Sequence, residues 1–184
     1  VERRVIGVLC SGEGTNLQAL IDAALPIAAV ASNRPGVNAL ARAQRAGIPT
    51  AVFDEADHPS RDDRDTALAL WLKERGVELV VLAGYMHLLR PGFFEVFGRR
   101  VVNTHSAPLP AFPGRHPIED VLAAGVPETA ATVHWVDEGI DTGPVIRAER
   151  VAVEPDDTTD TLRARVQAVE HRLLPDVVRE LIAS

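Results

Sequence analysis

The chain has 184 residues, 46% of them apolar and 24% charged, with a formal net charge of -7 at pH 7. That length suits one domain with a full core, the acidic balance without clustered Lys and Arg argues against nucleic acid as a partner, and no apolar run is long enough to span a bilayer. A lone cysteine, Cys10, excludes an internal disulfide framework and a cysteine-built zinc cluster.

Residues 1–4 lead straight into an apolar run without the long h-region of a signal peptide, so a cytoplasmic setting is expected. Residues 5–9 read as a first strand, followed by a turn-forming stretch that holds Gly12 and Gly14. Residues 16–24 read as a helix with Leu17, Leu20 and Ile21 on one stripe, and residues 27–31 as a second strand. Residues 37–46 form a helical pattern stopped by Gly47, and residues 50–53 a third strand. Ser60 suits the N-cap of a long helix that runs to about Arg75 and is closed by Gly76. Residues 79–83 are the fourth strand. Continuous apolar strands alternating with amphipathic helices predict a parallel sheet covered on both faces.

The second half is less regular. Residues 101–104 read as a fifth strand. Residues 106–117 carry Pro108, Pro110, Pro113 and Pro117, which forbids a helix interior or a central strand and predicts an ordered loop. Residues 118–124 read as a short helix. Residues 130–136 and 145–153 read as strands joined by an Asp- and Gly-rich loop, hence antiparallel. Residues 160–183 read as a long helix with Pro175 as its place to bend. The expected fold is a single α/β domain of Rossmann type. Residues 1–100 form a parallel half with helices on both faces, and residues 101–184 a mixed half.

The stretch Ser11-Gly12-Glu13-Gly14-Thr15-Asn16-Leu17 joins the first strand to the first helix. Glycines there let backbone approach a ligand, and the helix start presents unpaired N–H groups and a partial positive charge. A structural tight turn fits the same residues equally well. A dinucleotide loop fits poorly, because Leu17 takes the third glycine position and the second strand ends in Ser32-Asn33-Arg34 without a carboxylate.

Asn103 and His105 end the fifth strand, where alternation puts both on one side, at the sheet edge where open α/β folds bind ligands. An amide donor beside an imidazole suits oxyanion stabilisation and proton transfer. Asp141 lies in the glycine-bearing loop between the last two strands, and a carboxylate near His105 favours the imidazolium. Each also has a structural reading, as a loop anchor or a turn former. His134 alternates with Thr132 and is a weaker candidate for the same cleft; His58, His116 and His171 are weaker still. No nucleophile elbow and no H-E-x-x-H motif occurs, so covalent and metal readings lack support.

Taken together and in order, these segments resemble the phosphoribosylglycinamide formyltransferase family. The matching motifs are Ser11 through Gln18, Ala83-Gly84-Tyr85-Met86, Asn103 through Pro110, Phe112-Pro113-Gly114, Thr132-Val133-His134, Asp137 through Pro144, and Arg165 through His171. The resemblance spans essentially the whole chain. It implies a metal-free enzyme, monomeric or homodimeric, acting on small molecules. The implied reaction moves a formyl group from the co-substrate 10-formyltetrahydrofolate to the amine of glycinamide ribonucleotide by direct attack, in de novo purine synthesis. It implies Asn103, protonated His105 and Asp141 as the catalytic set. Gly12, Gly14, Thr15, Asn16 and Leu17 would hold the ribonucleotide phosphate, with Gln167, Ala168, Val169 and Glu170 as a second ribonucleotide patch. The folate would contact Met86, His87, Leu88, Leu89, Asn103, Asp137, Glu138, Gly139, Ile140 and Asp141, with Arg61 near its glutamate tail. The chain departs from the family pattern at His87, often Arg; at Ser106, where proline is usual; at Thr142, often Gly; and in Arg115-His116-Pro117-Ile118. The alternatives on the same residues are a formyltetrahydrofolate deformylase, with water replacing the amine, and a non-catalytic folate- or phosphate-binding module.

Overall fold

The computed structural model describes residues 4–184; Val1, Glu2 and Arg3, the lead-in to the first strand, lie outside the described residues. The strands are β1 (Val5–Cys10), β2 (Ile27–Ser32), β3 (Thr50–Val52), β4 (Val77–Leu82), β5 (Val101–His105), β6 (Glu128–Trp135) and β7 (Val145–Ala152). The helices are α1 (Thr15–Asp22), α2 (Asn38–Arg45), α3 (Arg61–Glu74), α4 (Pro91–Phe97), α5 (Pro117–Ala124) and α6 (Thr159–Ala183). The strands make one sheet in the order β3-β2-β1-β4-β5-β6-β7. Pairing is parallel from β3 to β5 and antiparallel from β5 to β7. This is the α/β architecture that the strand–helix alternation predicts, with a parallel and a mixed half.

Strand alternation builds two core layers from one apolar run. On β1, Ile6, Val8 and Cys10 face a cluster completed by α1, α2, α5 and α6, whereas Leu9 faces a second cluster with α3 and α4. On β4, Leu79 and Val81 join the first cluster, and Val80 and Leu82 the second. A strand buried on both faces has no polar alternation to show, which is why β1 and β4 read as continuous apolar runs.

The helix boundaries follow their caps. Ser60 Oγ accepts from Asp63 N, and Gly76, at φ 72°, ends the turn after α3. Thr158 and Thr161 form a reciprocal capping box at the start of α6. That helix runs unbroken through Pro175. Helix α4, for which the sequence analysis has no element, starts with Pro91 in its first turn and buries Phe93 and Phe97 against α3. At 7 residues it is too short to display a helical period, so tertiary packing carries it. A further short 3-10 turn, Glu55–Asp57, also lay outside the expected elements.

Strand order reverses between β1 and its two neighbours, β2 and β4. The loops leaving the C-terminal ends of β1 and β4 therefore diverge and leave a crevice, the usual ligand position in such sheets.

Candidate active site

A cleft of about 550 Å³ occupies that crevice. Its floor is the ends of β4 and β5. One wall is the glycine loop, another is residues 86–89, and the 137–143 loop and α6 close the remaining sides.

The glycine loop is shaped from behind. Gly14 has φ 74°, and a Cβ there would meet the Ala39 backbone at 2.7 Å, so only glycine allows α1 to start this close to α2. Gly12 O accepts from Ala39 N (3.0 Å), and Glu13 O accepts from Arg42 Nε (2.7 Å). With its carbonyls tied to α2, the loop leaves the first-turn N–H groups of α1 as free donors.

Asn103, His105, His134 and Asp141 meet on the cleft floor. Asp141 Oδ2 lies 3.5 Å from His105 Nδ1, and its Oδ1 lies 3.7 Å from His134 Nε2. Asp141 also accepts from Gly114 N at 2.8 Å and adopts φ 53°, a left-handed conformation that Asp tolerates better than most side chains. His105 Nε2–H donates to the Phe112 carbonyl at 2.7 Å. Its two ring nitrogens thus face a carbonyl and a carboxylate, both of them proton acceptors.

His134 has the opposite inventory. Its Nδ1–H donates to the Trp135 carbonyl (2.9 Å), leaving Nε2 to accept from Asn103 Nδ2 at 3.3 Å. Burial holds His134 below the ordinary histidine range, despite the Trp135 carbonyl and the nearby Asp141. A neutral His134 therefore orients the Asn103 amide. The sequence ranks it among weaker candidates because a strand histidine gives no local sign of its cross-strand neighbour; the β5–β6 register puts Asn103 opposite His134.

Glu170, from α6, is 4% exposed and reaches the same cleft. Ser106 Oγ donates to its Oε1 at 2.6 Å, and Asn16 Nδ2 to its Oε2 at 3.4 Å. Burial pushes its carboxyl above the ordinary carboxylate value, opposed by these two hydrogen bonds. In the 137–142 loop, Thr142 Oγ1 and Gly139 N both donate to Asp137 Oδ1, at 2.6 and 2.9 Å, and hold the Asp137 carboxyl below its ordinary value.

Most of the residues singled out from sequence line this one cleft: Gly12, Gly14, Thr15, Asn16, Met86, His87, Leu88, Leu89, Asn103, His105, Asp137, Gly139, Ile140, Asp141, Gln167 and Glu170. Leu17, Ala168, Val169, Glu138 and Arg61 do not. The Leu17 side chain is fully buried in the core, because its helical position faces the sheet. Arg61 pairs with Glu55 at 2.9 Å, on the exposed start of α3. Arg115 and Arg163 add basic groups that the sequence did not single out for the cleft, and His116, a weak candidate from sequence, lines it as well. Cys10 is fully buried and its thiol is pushed up to about 12 by burial, so it offers no thiolate nucleophile at neutral pH. Among the described residues no group of His, Cys, Asp and Glu is arranged to hold a metal ion, and no helix is long and apolar enough to cross a membrane.

Residues 4–178 match the formyl transferase family model. The chain is 43% identical over 179 residues to phosphoribosylglycinamide formyltransferase of Mycobacterium tuberculosis, covering 95% of this chain and 83% of that one. It is 42% identical over 188 residues to the trifunctional purine biosynthetic protein adenosine-3 of Drosophila melanogaster, but spans only 14% of that protein's length. The crystal structure of glycinamide ribonucleotide transformylase 1 from Symbiobacterium toebii superposes with a TM-score of 0.96 at 42% identity, covering 100% of this chain and 90% of that one. The chain belongs to the formyl transferase family, in its phosphoribosylglycinamide formyltransferase branch.

Proposed function

We propose that this enzyme transfers a formyl group from 10-formyltetrahydrofolate to the amine of glycinamide ribonucleotide, a step of de novo purine synthesis in the cytoplasm. The names of the relatives support the reaction, and the observation that carries the site assignment is the convergence of Asp141, His105 and Asn103 on one cleft floor. In this reading residues 1–100 supply the phosphate-binding half and residues 101–184 the catalytic and folate-binding half, with residues 86–89 reaching across. The ribonucleotide phosphate sits on the N–H groups of Thr15, Asn16 and Leu17 at the start of α1. Gln167 and Glu170 hold the rest of the acceptor. The folate lies between residues 86–89 and the 137–141 loop, whose exposed Met86, Leu88 and Ile140 offer apolar surface.

The neutral amine attacks the formyl carbon. One proton of the Asn103 amide, whose other is taken by His134, meets the developing oxyanion. His105 supplies the second donor, which requires its Nε2–H to exchange the Phe112 carbonyl for the oxyanion. Asp141 balances the imidazolium charge. As the tetrahedral centre collapses, the amine nitrogen gives up a proton and N10 of the folate gains one, with His105 as carrier, so the site ends in its starting protonation state.

The test is the absorbance change as the formyl folate loses its formyl group, run with and without the ribonucleotide. Turnover that requires the ribonucleotide is expected. Equal turnover without it would make the enzyme a deformylase, and no turnover with either would refute the reading.

A further inference from the structure

Below the cleft wall lies a buried ion pair that the formyl-transfer chemistry does not use. Arg64 and Asp65, adjacent on α3, are both 0% exposed, with Arg64 Nε 2.9 Å and Nη2 2.8 Å from Asp65 Oδ1. A buried pair of this kind costs desolvation free energy and is weak as a stabilising device. The remaining contacts of this pair go to residues 86–90, which connect β4 to α4 without regular secondary structure. Arg64 Nη1 reaches His87 Nδ1 at 2.6 Å, and Asp65 Oδ2 accepts from Arg90 N at 2.8 Å. The start of the segment is tied to the loop that leaves β1, where Ser11 Oγ accepts from Met86 N at 2.8 Å. On its far side the His87 ring meets the Asn33 amide, at the end of β2, with 3.3 Å between Nε2 and Nδ2.

A guanidinium only donates, so His87 Nδ1 accepts and carries no proton. A neutral ring then has its proton on Nε2, which must find an acceptor. Asn33 meets this by a half-turn of its amide, since amide oxygen and nitrogen are told apart only by their partners. Its oxygen then faces His87 and its nitrogen faces Ser11 Oγ, whose hydroxyl, which donates to the Asn33 oxygen at 2.6 Å before the half-turn, must turn to another acceptor. Both His87 ring nitrogens then have complementary partners, Arg64 on one side and Asn33 on the other. A second proton on His87 destroys the pattern, because two cationic donors would face each other across the Arg64 contact.

We propose that His87, as the neutral Nε2–H tautomer, is a positioning residue that locks the cleft wall at residues 86–89 to α3 and to the ends of β1 and β2, so that a second proton on its ring releases the wall and weakens binding of the formyl donor. The proposal rests on the reading that this wall takes the folate. The charged and titratable groups around the ring are Arg61, Arg64 and Asp65 from α3, Glu55 from the preceding 3-10 turn, and Tyr85 from its own segment, with ring centroids 6.0 Å apart. Burial, Arg64 and Arg61 together hold His87 below the ordinary histidine range, so the locked form prevails at neutral pH.

The experiment has two readouts on the full chain. Nitrogen-15 NMR of the histidines at pH 7.5 is expected to find His87 protonated on Nε2 and bare on Nδ1; a proton on Nδ1 overturns the proposal. Binding of a deformylated reduced folate is then followed by tryptophan fluorescence across the acid range. Wild-type affinity is expected to fall, by at most about tenfold per pH unit for one linked proton. H87N keeps an acceptor for Arg64 but takes no proton, so the part of the pH dependence due to this ring disappears. H87F loses the Arg64 contact and binds folate more weakly at every pH, with the ribonucleotide KM unmoved. An H87N variant with the full wild-type pH dependence, or an H87F variant that binds folate as wild type does, overturns the proposal alone. A wild-type chain that binds no folate at any pH overturns the functional reading as well.

Discussion

Asp141→Asn isolates one charge at the centre of the proposed mechanism. Asparagine keeps the volume and an oxygen that accepts from Gly114 N, now bonded at 2.8 Å, and like Asp it tolerates the left-handed backbone at φ 53°. What disappears is the negative charge 3.5 Å from His105 Nδ1. At an effective dielectric of about 20, two unit charges at that distance interact by about 5 kcal/mol. The Asp141 side chain is 12% exposed and water screens part of the interaction, so this is an upper bound on the loss. With about 1.4 kcal/mol per tenfold in rate, kcat should fall on the order of 10²- to 10³-fold. Steady-state formyl transfer at saturating donor and acceptor measures kcat, and a thermal melt controls for folding. Both KM values should change little, because the charge acts on the oxyanion-forming step. A variant whose kcat stays within a small factor of wild type, or that loses only affinity, would refute the assignment of Asp141.

Other outcomes follow from the same geometry. Glu170 has a folded-state carboxyl value raised above its ordinary 4.5, so its contribution to stability is full below that pH and is lost as pH rises through the folded value. Glu170→Gln should therefore melt higher relative to wild type at pH 8 than at pH 4, while its ribonucleotide KM rises; a Tm difference that does not vary with pH would contradict this. Phe93 is fully buried between α4 and the sheet, and Phe93→Ala should cost about 3–5 kcal/mol in denaturant unfolding; a loss under about 2 kcal/mol would mean the layer closes over the cavity. At Gly143 an added Cβ would overlap the Trp135 carbonyl, the same oxygen that orients His134. Gly143→Ala should cost about 1–3 kcal/mol of stability and lower kcat by displacing His134 and Asp141; wild-type kcat with wild-type Tm would show that the loop moves aside freely.

The elements were legible where local chemistry is decisive. Ser60 and Gly76 bracket α3 because a hydroxyl cap and a left-handed glycine act on the backbone next to them. The β1 and β4 runs signal burial on both faces, and the order of elements implied the parallel half. Helix α4 escaped because a 7-residue helix has no period to show, and what holds it, Phe93 and Phe97 against α3, is a tertiary contact.

The site divides along the same line. Asn103, His105 and Asp141 were nameable from residue type, strand-end position and family resemblance, and Gly14 from the demands of a turn. Which groups touch was decided only by the sheet. The β5–β6 register places His134 opposite Asn103, the path of α6 carries Glu170 to Ser106 across 64 residues of chain, and α3 brings Arg64 beneath His87. It also paired Arg61 with Glu55 and buried Leu17 in the core. The physical reason is the range of the forces. Caps, turns and apolar periodicity act over a few residues and are written in local sequence, whereas hydrogen bonds and charges inside a cleft act over a few ångströms of space between residues far apart in the chain.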